Sequence, residues 1–179
     1  SDYTKSARNH GITRSLDNRF STGKPWEYDI EESGFNFRLD EIRSALGLSQ
    51  MKRLDKFNDL RKKASEYYTS QLTDVKGIIT PKISKNNENS FHLYIIRITK
   101  DFPLTRDVLF KKLLNNGIRT SVHYKPLNQF TLFKKMAKSY DKLEISNMLY
   151  DEILSLPMYP TIRKSDQNYV IKNIKNGII

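Results

Sequence analysis

Two short strings hold the residue types best suited to chemistry. The first is Gly34-Phe35-Asn36-Phe37-Arg38, where an amide and a guanidinium stand two residues apart, between a polar loop and a helical pattern. Arginine binds phosphate or carboxylate in a bidentate fork, and an asparagine amide donates to a phosphate oxygen. The same types also serve a purely structural end, with Asn36 capping the helix that follows and Arg38 a surface charge. The second string is Ser121-Val122-His123-Tyr124-Lys125-Pro126, a strand pattern ending in three polar side chains held by a proline. Strand ends and the loops after them often host sites, yet a histidine there is equally a structural residue with its ring nitrogens satisfied. Neither string defines a reaction.

Other chemistries are excluded. The three histidines, His10, His92 and His123, are too scattered for a metal set, and no carboxylate lies at ligand spacing from any of them. The 7 glycines never cluster as a dinucleotide or P-loop cradle requires, and no G-x-S-x-G elbow occurs. The chain has no cysteine, which removes disulfides, thiolate zinc sites and thiol nucleophiles and fits a reducing interior. No apolar run approaches the roughly 20 residues that span a bilayer, and the first residues lack the apolar core of a signal peptide. A cytoplasmic protein with no membrane role is the expectation. The 31 Lys and Arg against 20 Asp and Glu give a net charge of +11. Such a balance suits a polyanion, a phosphate-bearing substrate, or simply solvated basic faces.

The elements that must position these strings follow from periodicity. With 9 Phe and 10 Tyr in 179 residues, the chain is rich enough in aromatics to fold around a core. Residues 2–10 read as the end of a helix stopped by Gly11 in a left-handed turn, so the chain is expected to begin mid-structure. The stretch 1–33 as a whole is polar and irregular and includes the single Trp26. Over 39–72, apolar residues recur at helical spacing, from Leu39, Ile42 and Leu46 to Leu60, Ala64 and Tyr68. The spacing predicts one long amphipathic helix, or two joined near Gly47. Strands are predicted at 75–83, 90–98 and 118–124, with a helix at 106–116 stopped by Gly117. Short helices over 131–139 and 143–153, a break at 155–160 and a last helix at 164–175 complete a small α+β layer.

Taken in order, several strings resemble one family. They are Arg8-Asn9-His10-Gly11, Trp26-x-Tyr28, the run from Gly34 to Met51, Ser90-Phe91-His92-Leu93-Tyr94, the run from Gly117 to Pro126, and Leu154-Ser155-Leu156-Pro157-Met158-Tyr159-Pro160. Together they are similar to the sugar aminotransferases of the DegT/DnrJ/EryC1/StrS family. The helix after Arg38 and the H-Y-K-P string look most similar to enzymes that aminate UDP-linked 4-keto-6-deoxy-hexosamines, as in pseudaminic-acid biosynthesis.

The resemblance implies an α/β fold type I aminotransferase dependent on pyridoxal 5'-phosphate, of which this chain is the C-terminal part. On that reading residues 1–38 end the large cofactor domain and carry an inter-subunit loop, 39–72 form a long linking helix, and 73–179 form the small C-terminal α+β domain. It implies a homodimer with shared active sites, acting on a nucleotide sugar and an amino-acid donor, with no nucleic acid and no membrane as partner. By the same resemblance, Asn36 reaches the cofactor phosphate in the partner's site, with Arg38 and the loop from Trp26 to Gly34 close by. His123 and Tyr124 look toward the nucleotide-sugar end of the pocket, and His10 lies near its floor. The family's cofactor lysine sits in a segment like S-x-H-x-x-K followed by G-E-G-G, and no such segment occurs in this sequence. The chain is therefore expected to hold no catalytic residue of its own. Two alternatives stand beside this reading: a cofactor-dependent sugar dehydratase of the same family, and a non-catalytic module that uses its basic surface for nucleic acid.

Overall fold

The computed structural model describes residues 2–12, 28–83, 87–136 and 143–177. The chain divides into two compact units, Ser1–Arg53 and Leu54–Ile179.

In the first unit, helix α1 (Asp2–Ala7) is closed by a turn in which His10 and Gly11 both adopt left-handed backbone, φ 63° and 73°. Glycine is required at the second of these positions, because a Cβ on Gly11 would lie 1.9 Å from the Glu32 carbonyl oxygen. Helix α2 (Glu41–Met51) starts at Asp40, whose carboxylate accepts from the Arg43 N–H at 2.8 Å and pairs with the Arg43 guanidinium. The cap is thus Asp40 and not Asn36, since an N-cap oxygen reaches only the two or three N–H groups that follow it. The helical pattern over 39–72 proves to be two helices. Helix α2 ends at Met51 and α3 (Leu54–Leu72) begins after Lys52 and Arg53, where the Arg53 N–H turns to the Gln50 carbonyl. The interruption falls there and not at Gly47, which lies inside α2.

The second unit runs on from α3 through strand β1 (Ile78–Ile79), strand β2 (Tyr94–Ile98), helix α4 (Arg106–Asn115), a 3-10 turn (Leu127–Gln129), helix α5 (Thr131–Met136), helix α6 (Glu144–Glu152), strand β3 (Ile153–Leu156) and helix α7 (Lys164–Lys175). The sheet is antiparallel in the order β1-β2-β3, with Ile78 opposite Ile98 and Tyr94 opposite Leu156. Alternation along β2 sends Tyr94, Ile96 and Ile98 into the core and leaves Ile95 and Arg97 on the other face. The core joins these to Leu154 and Leu156 of β3, Tyr68 and Leu72 of α3, Leu109 and Leu113 of α4, and Val170, Ile171 and Ile174 of α7. Helix α7 touches both α3 and α4. At the start of α4 the Arg106 guanidinium is buried, donates to the Tyr150 and Ile153 carbonyls, and lies over the Tyr150 ring. It thereby ties α4 to the start of β3.

The strands depart most from the sequence pattern. The 75–83 strand shrinks to two residues, which follow Gly77 (φ 81°) where it passes so close to Phe102 that a Cβ would meet its nitrogen at 2.1 Å. The 118–124 strand reduces to one bridge, Ser121 with Ser155. Conversely, Ile153–Leu156, placed by periodicity at a helix end and a break, forms strand β3, because β2 offers a free edge to pair with.

Candidate functional site

Two of the strings meet within the first unit. Segment 9–12 pairs antiparallel with segment 30–36, through bridges Asn9 with Asn36 and Ile12 with Ile30. The His10, Phe35 and Phe37 N–H groups donate to Phe35, Ala7 and Arg8 carbonyls at 3.0, 2.7 and 2.8 Å. Gly34 permits this approach, since a Cβ there would stand 2.1 Å from the Gly11 nitrogen and 2.8 Å from the Ala7 carbonyl oxygen. The glycines of the two strings thus explain each other.

Strand alternation then assigns the side chains. Phe35 and Phe37 fall on one face and stack, ring centroids 5.0 Å apart and 8° from parallel. Asn36 and Arg38 fall on the other, with Asn9. Arg38 donates from Nε and Nη2 to Asn9 Oδ1 at 3.0 and 2.7 Å. Sequence reasoning gave Asn9 no role, although it stands in the same quoted string as His10. The fork on Asn9 fixes the Arg38 guanidinium beside Asn36, whose own exposed amide has no hydrogen-bond partner among the described residues. His10 is exposed in the turn. Trp26 lies outside the described residues.

In the second unit His123 and Tyr124 leave the Ser121–Ser155 bridge together, joined by a cis peptide bond. Their rings meet edge to face at 4.7 Å. His123 Nδ1 lies 2.8 Å from Ser155 Oγ, while Tyr124 projects outward, 74% exposed. Lys125 places its ammonium 5.2 Å from the centre of the Phe130 ring. Just beyond, the Asn128 and Gln129 amides both donate to Asn147 Oδ1, and Asn128 Oδ1 is buried without a partner. Two cavities lie elsewhere in this unit. One of 370 Å³ is lined by Arg119, Tyr159 and Tyr169 among others, and one of 610 Å³ by Lys100, Arg106 and Asp151 among others. Neither includes His123 or Tyr124. Ser155, which sequence reasoning passed over as part of a break, is the residue it missed here. Its only local signal was its place in the Leu154 to Pro160 string.

A family model covers residues 1–175, described as the DegT/DnrJ/EryC1/StrS aminotransferase family. The chain belongs to that family. Over 171 residues it is 29% identical to the spore coat polysaccharide biosynthesis protein SpsC of Bacillus subtilis, covering 93% of this chain and 44% of SpsC. It is 31% identical to a UDP-4-amino-4,6-dideoxy-N-acetyl-beta-L-altrosamine transaminase of Campylobacter jejuni, covering 94% of this chain and 43% of that one. Among solved structures it superposes on Helicobacter pylori PseC, an aminotransferase of pseudaminic acid biosynthesis, with TM-score 0.80 and 26% identity, over 97% of this chain and 44% of PseC. It likewise matches the PMP-form of Spr1654 of Streptococcus pneumoniae, with TM-score 0.79 and 25% identity over 97% of this chain and 43% of that one. The chain thus spans less than half the length of these relatives, and its fold is a partial domain of their aminotransferase architecture. No helix among the described residues is long and apolar enough to cross a membrane.

A cofactor that such relatives carry can be tested against the donor set here. A phosphate needs hydrogen-bond donors and positive charge. An amide with no partner among the described residues, on the face that carries a guanidinium held in place by Asn9, meets both needs. The first unit therefore fits the phosphate end of pyridoxal phosphate.

Proposed function

We propose that residues 1–179 work as the C-terminal part of a cytoplasmic, homodimeric sugar aminotransferase dependent on pyridoxal phosphate. It moves an amino group from an amino acid, most simply glutamate, to a keto-sugar nucleotide in surface-polysaccharide or amino-sugar biosynthesis. One observation carries the reading: the Gly11 and Gly34 close approach presents an Asn36 amide with no partner among the described residues, on the same face as an arginine held by Asn9. When bound, the cofactor supplies the electron sink that lets the amino group change carbons.

This chain's residues bind and orient. Asn36 donates to the cofactor phosphate in the partner's site, and Arg38 holds positive charge beside it. His123 and Tyr124 face the nucleotide-sugar end, and His10 lies near the pocket floor. Residues 1–38 close the large domain, 39–72 link it, and 73–179 form the small domain. No catalytic residue is assigned within 1–179, because none of its lysines stands in the family's lysine string. The 179-residue chain mixed with cofactor is accordingly expected to show no absorption band of lysine-bound cofactor, and such a band would overturn this assignment.

The decisive variant is Asn36→Ala in the complete protein. Losing a hydrogen bond to a charged phosphate is expected to weaken cofactor retention by about 1.5 to 3 kcal/mol, read as the cofactor dissociation constant by equilibrium dialysis. Unchanged retention would remove Asn36 from the phosphate site. The C. jejuni and H. pylori relatives, whose names describe 4-amino-sugar and pseudaminic acid chemistry, favour a UDP-linked 4-keto-6-deoxy-hexosamine as the acceptor.

A further inference from the structure

We infer that Ser155 is a positioning residue that fixes both the tautomer and the orientation of His123, so that the histidine meets its ligand as an Nε2–H donor. Ser155 lies on β3 opposite Ile95, on the face away from the core leucines 154 and 156. Serine at such a place would ordinarily meet water, yet Ser155 is only 4% exposed. A buried hydroxyl must find a partner, and among the described residues its Oγ has one, His123 Nδ1 at 2.8 Å. Among the described residues the hydroxyl hydrogen has no other acceptor, which assigns Oγ–H as the donor and Nδ1 as the acceptor. A neutral imidazole that accepts at Nδ1 carries its proton on Nε2. The ring is thereby turned into a donor toward whatever faces it.

The backbone holds this geometry from both sides. Ser121 and Ser155 exchange N–H···O bonds at 3.2 and 2.8 Å, which sets the strand end carrying His123 directly against the serine. Tyr124 packs edge-on to the imidazole and limits its rotation. A donor at Nε2 suits an oxygen acceptor, such as a carbonyl or hydroxyl oxygen of the sugar nucleotide or an oxygen of its diphosphate. It does not suit a role as proton acceptor from substrate. The ligand side of this inference rests on the reading of His123 as a substrate contact given above, whereas the coupling of Ser155 to His123 does not.

The experiment has two arms that separate these. In the 179-residue chain, long-range ¹H–¹⁵N spectra near pH 8 are expected to show His123 with a bare Nδ1 and a protonated Nε2, assigned with a His123→Gln control. Ser155→Ala is expected to let both tautomers appear, while Ser155→Thr, which keeps the hydroxyl, retains the parent pattern. A protonated Nδ1 in the parent chain, or identical ring shifts in Ser155→Ala, overturns the inference. In the complete enzyme, Ser155→Ala is expected to raise KM for the sugar nucleotide about 2- to 10-fold with kcat little changed, as losing one neutral hydrogen bond's worth of positioning predicts. If the ring arm behaves as expected while KM stays constant, it is the substrate contact of His123 that fails, and the serine's hold on the ring stands.

Discussion

The two units are held in shape by different physics. In the second, Tyr68, Leu72, Ile96, Leu109, Leu113, Leu154 and Ile174 are essentially sealed from solvent around a three-stranded sheet. In the first, only Gly11 among the described residues is buried, and helix α2 leaves Ile42 83% exposed and Leu46 60%. Its conformation comes from paired backbone and from two glycines that allow segments to touch. A backbone hydrogen bond is worth about 1 kcal/mol net, whereas a fully buried leucine contributes about 1.5 to 3. The scaffold is therefore bought with side chains in one unit and shaped by the main chain in the other, and it is the lightly held unit that presents Asn36.

The contrast can be broken most directly by truncating one apolar residue in each unit. Leu109→Ala in the core is expected to lower the urea-unfolding free energy of the chain by about 2 to 5 kcal/mol, while Ile42→Ala on α2 stays within about 0.5. Equal losses would erase the distinction. Gly34→Ala should act in the opposite sense, leaving the second unit's melting unchanged while the three N–H donors His10, Phe35 and Phe37 lose exchange protection. Each such bond is worth about 0.5 to 1.5 kcal/mol, and undiminished protection at Phe35 and Phe37 would show that the glycine contact is dispensable. Asp40→Ala removes the α2 cap and should cost about 0.5 to 2 kcal/mol of that helix alone, visible as faster amide exchange at Arg43.

The smallest effect near neutral pH appears only in alkali. Burial pushes the Tyr94 hydroxyl up to about 12, partly opposed by its bond to Thr69, and pushes Tyr68 higher still, with Tyr159 adding to the rise. Above pH 10 the unfolded tyrosines release protons that the folded ones keep, so unfolding is favoured as pH climbs. The contribution is whole below pH 10 and disappears as pH rises through 12. Urea midpoints of the second unit should fall across that window, and Tyr94→Phe should flatten the fall even though it loses the Thr69 bond at every pH. A slope unaltered by the variant would mean that Tyr94 does not supply it.

Much of this was legible in the chain itself. Helix α7 over 164–175, the stop of α4 before Gly117 and the turn at Gly11 follow from local periodicity and from backbone preferences that each residue carries with it. The order of the strings sufficed to point to the family, whose model matches residues 1–175. What stayed hidden was non-local. Asn36 could be read as a helix cap until Asp40 was seen to hold the Arg43 N–H. The Ser155 to Pro160 stretch carries two prolines and a serine and reads as a break, yet its first residues became β3 because the edge of β2 was there to pair with. Ser155 gained its place by His123, and Arg38 its place by Asn9, through contacts spanning 32 and 29 residues. The sequence by itself determined where most helices lie, the turn at Gly11 and the family. The tertiary structure alone decided which side chains face one another, because strand pairing and the close approach of Gly11 to Gly34 depend on partners that no local window contains.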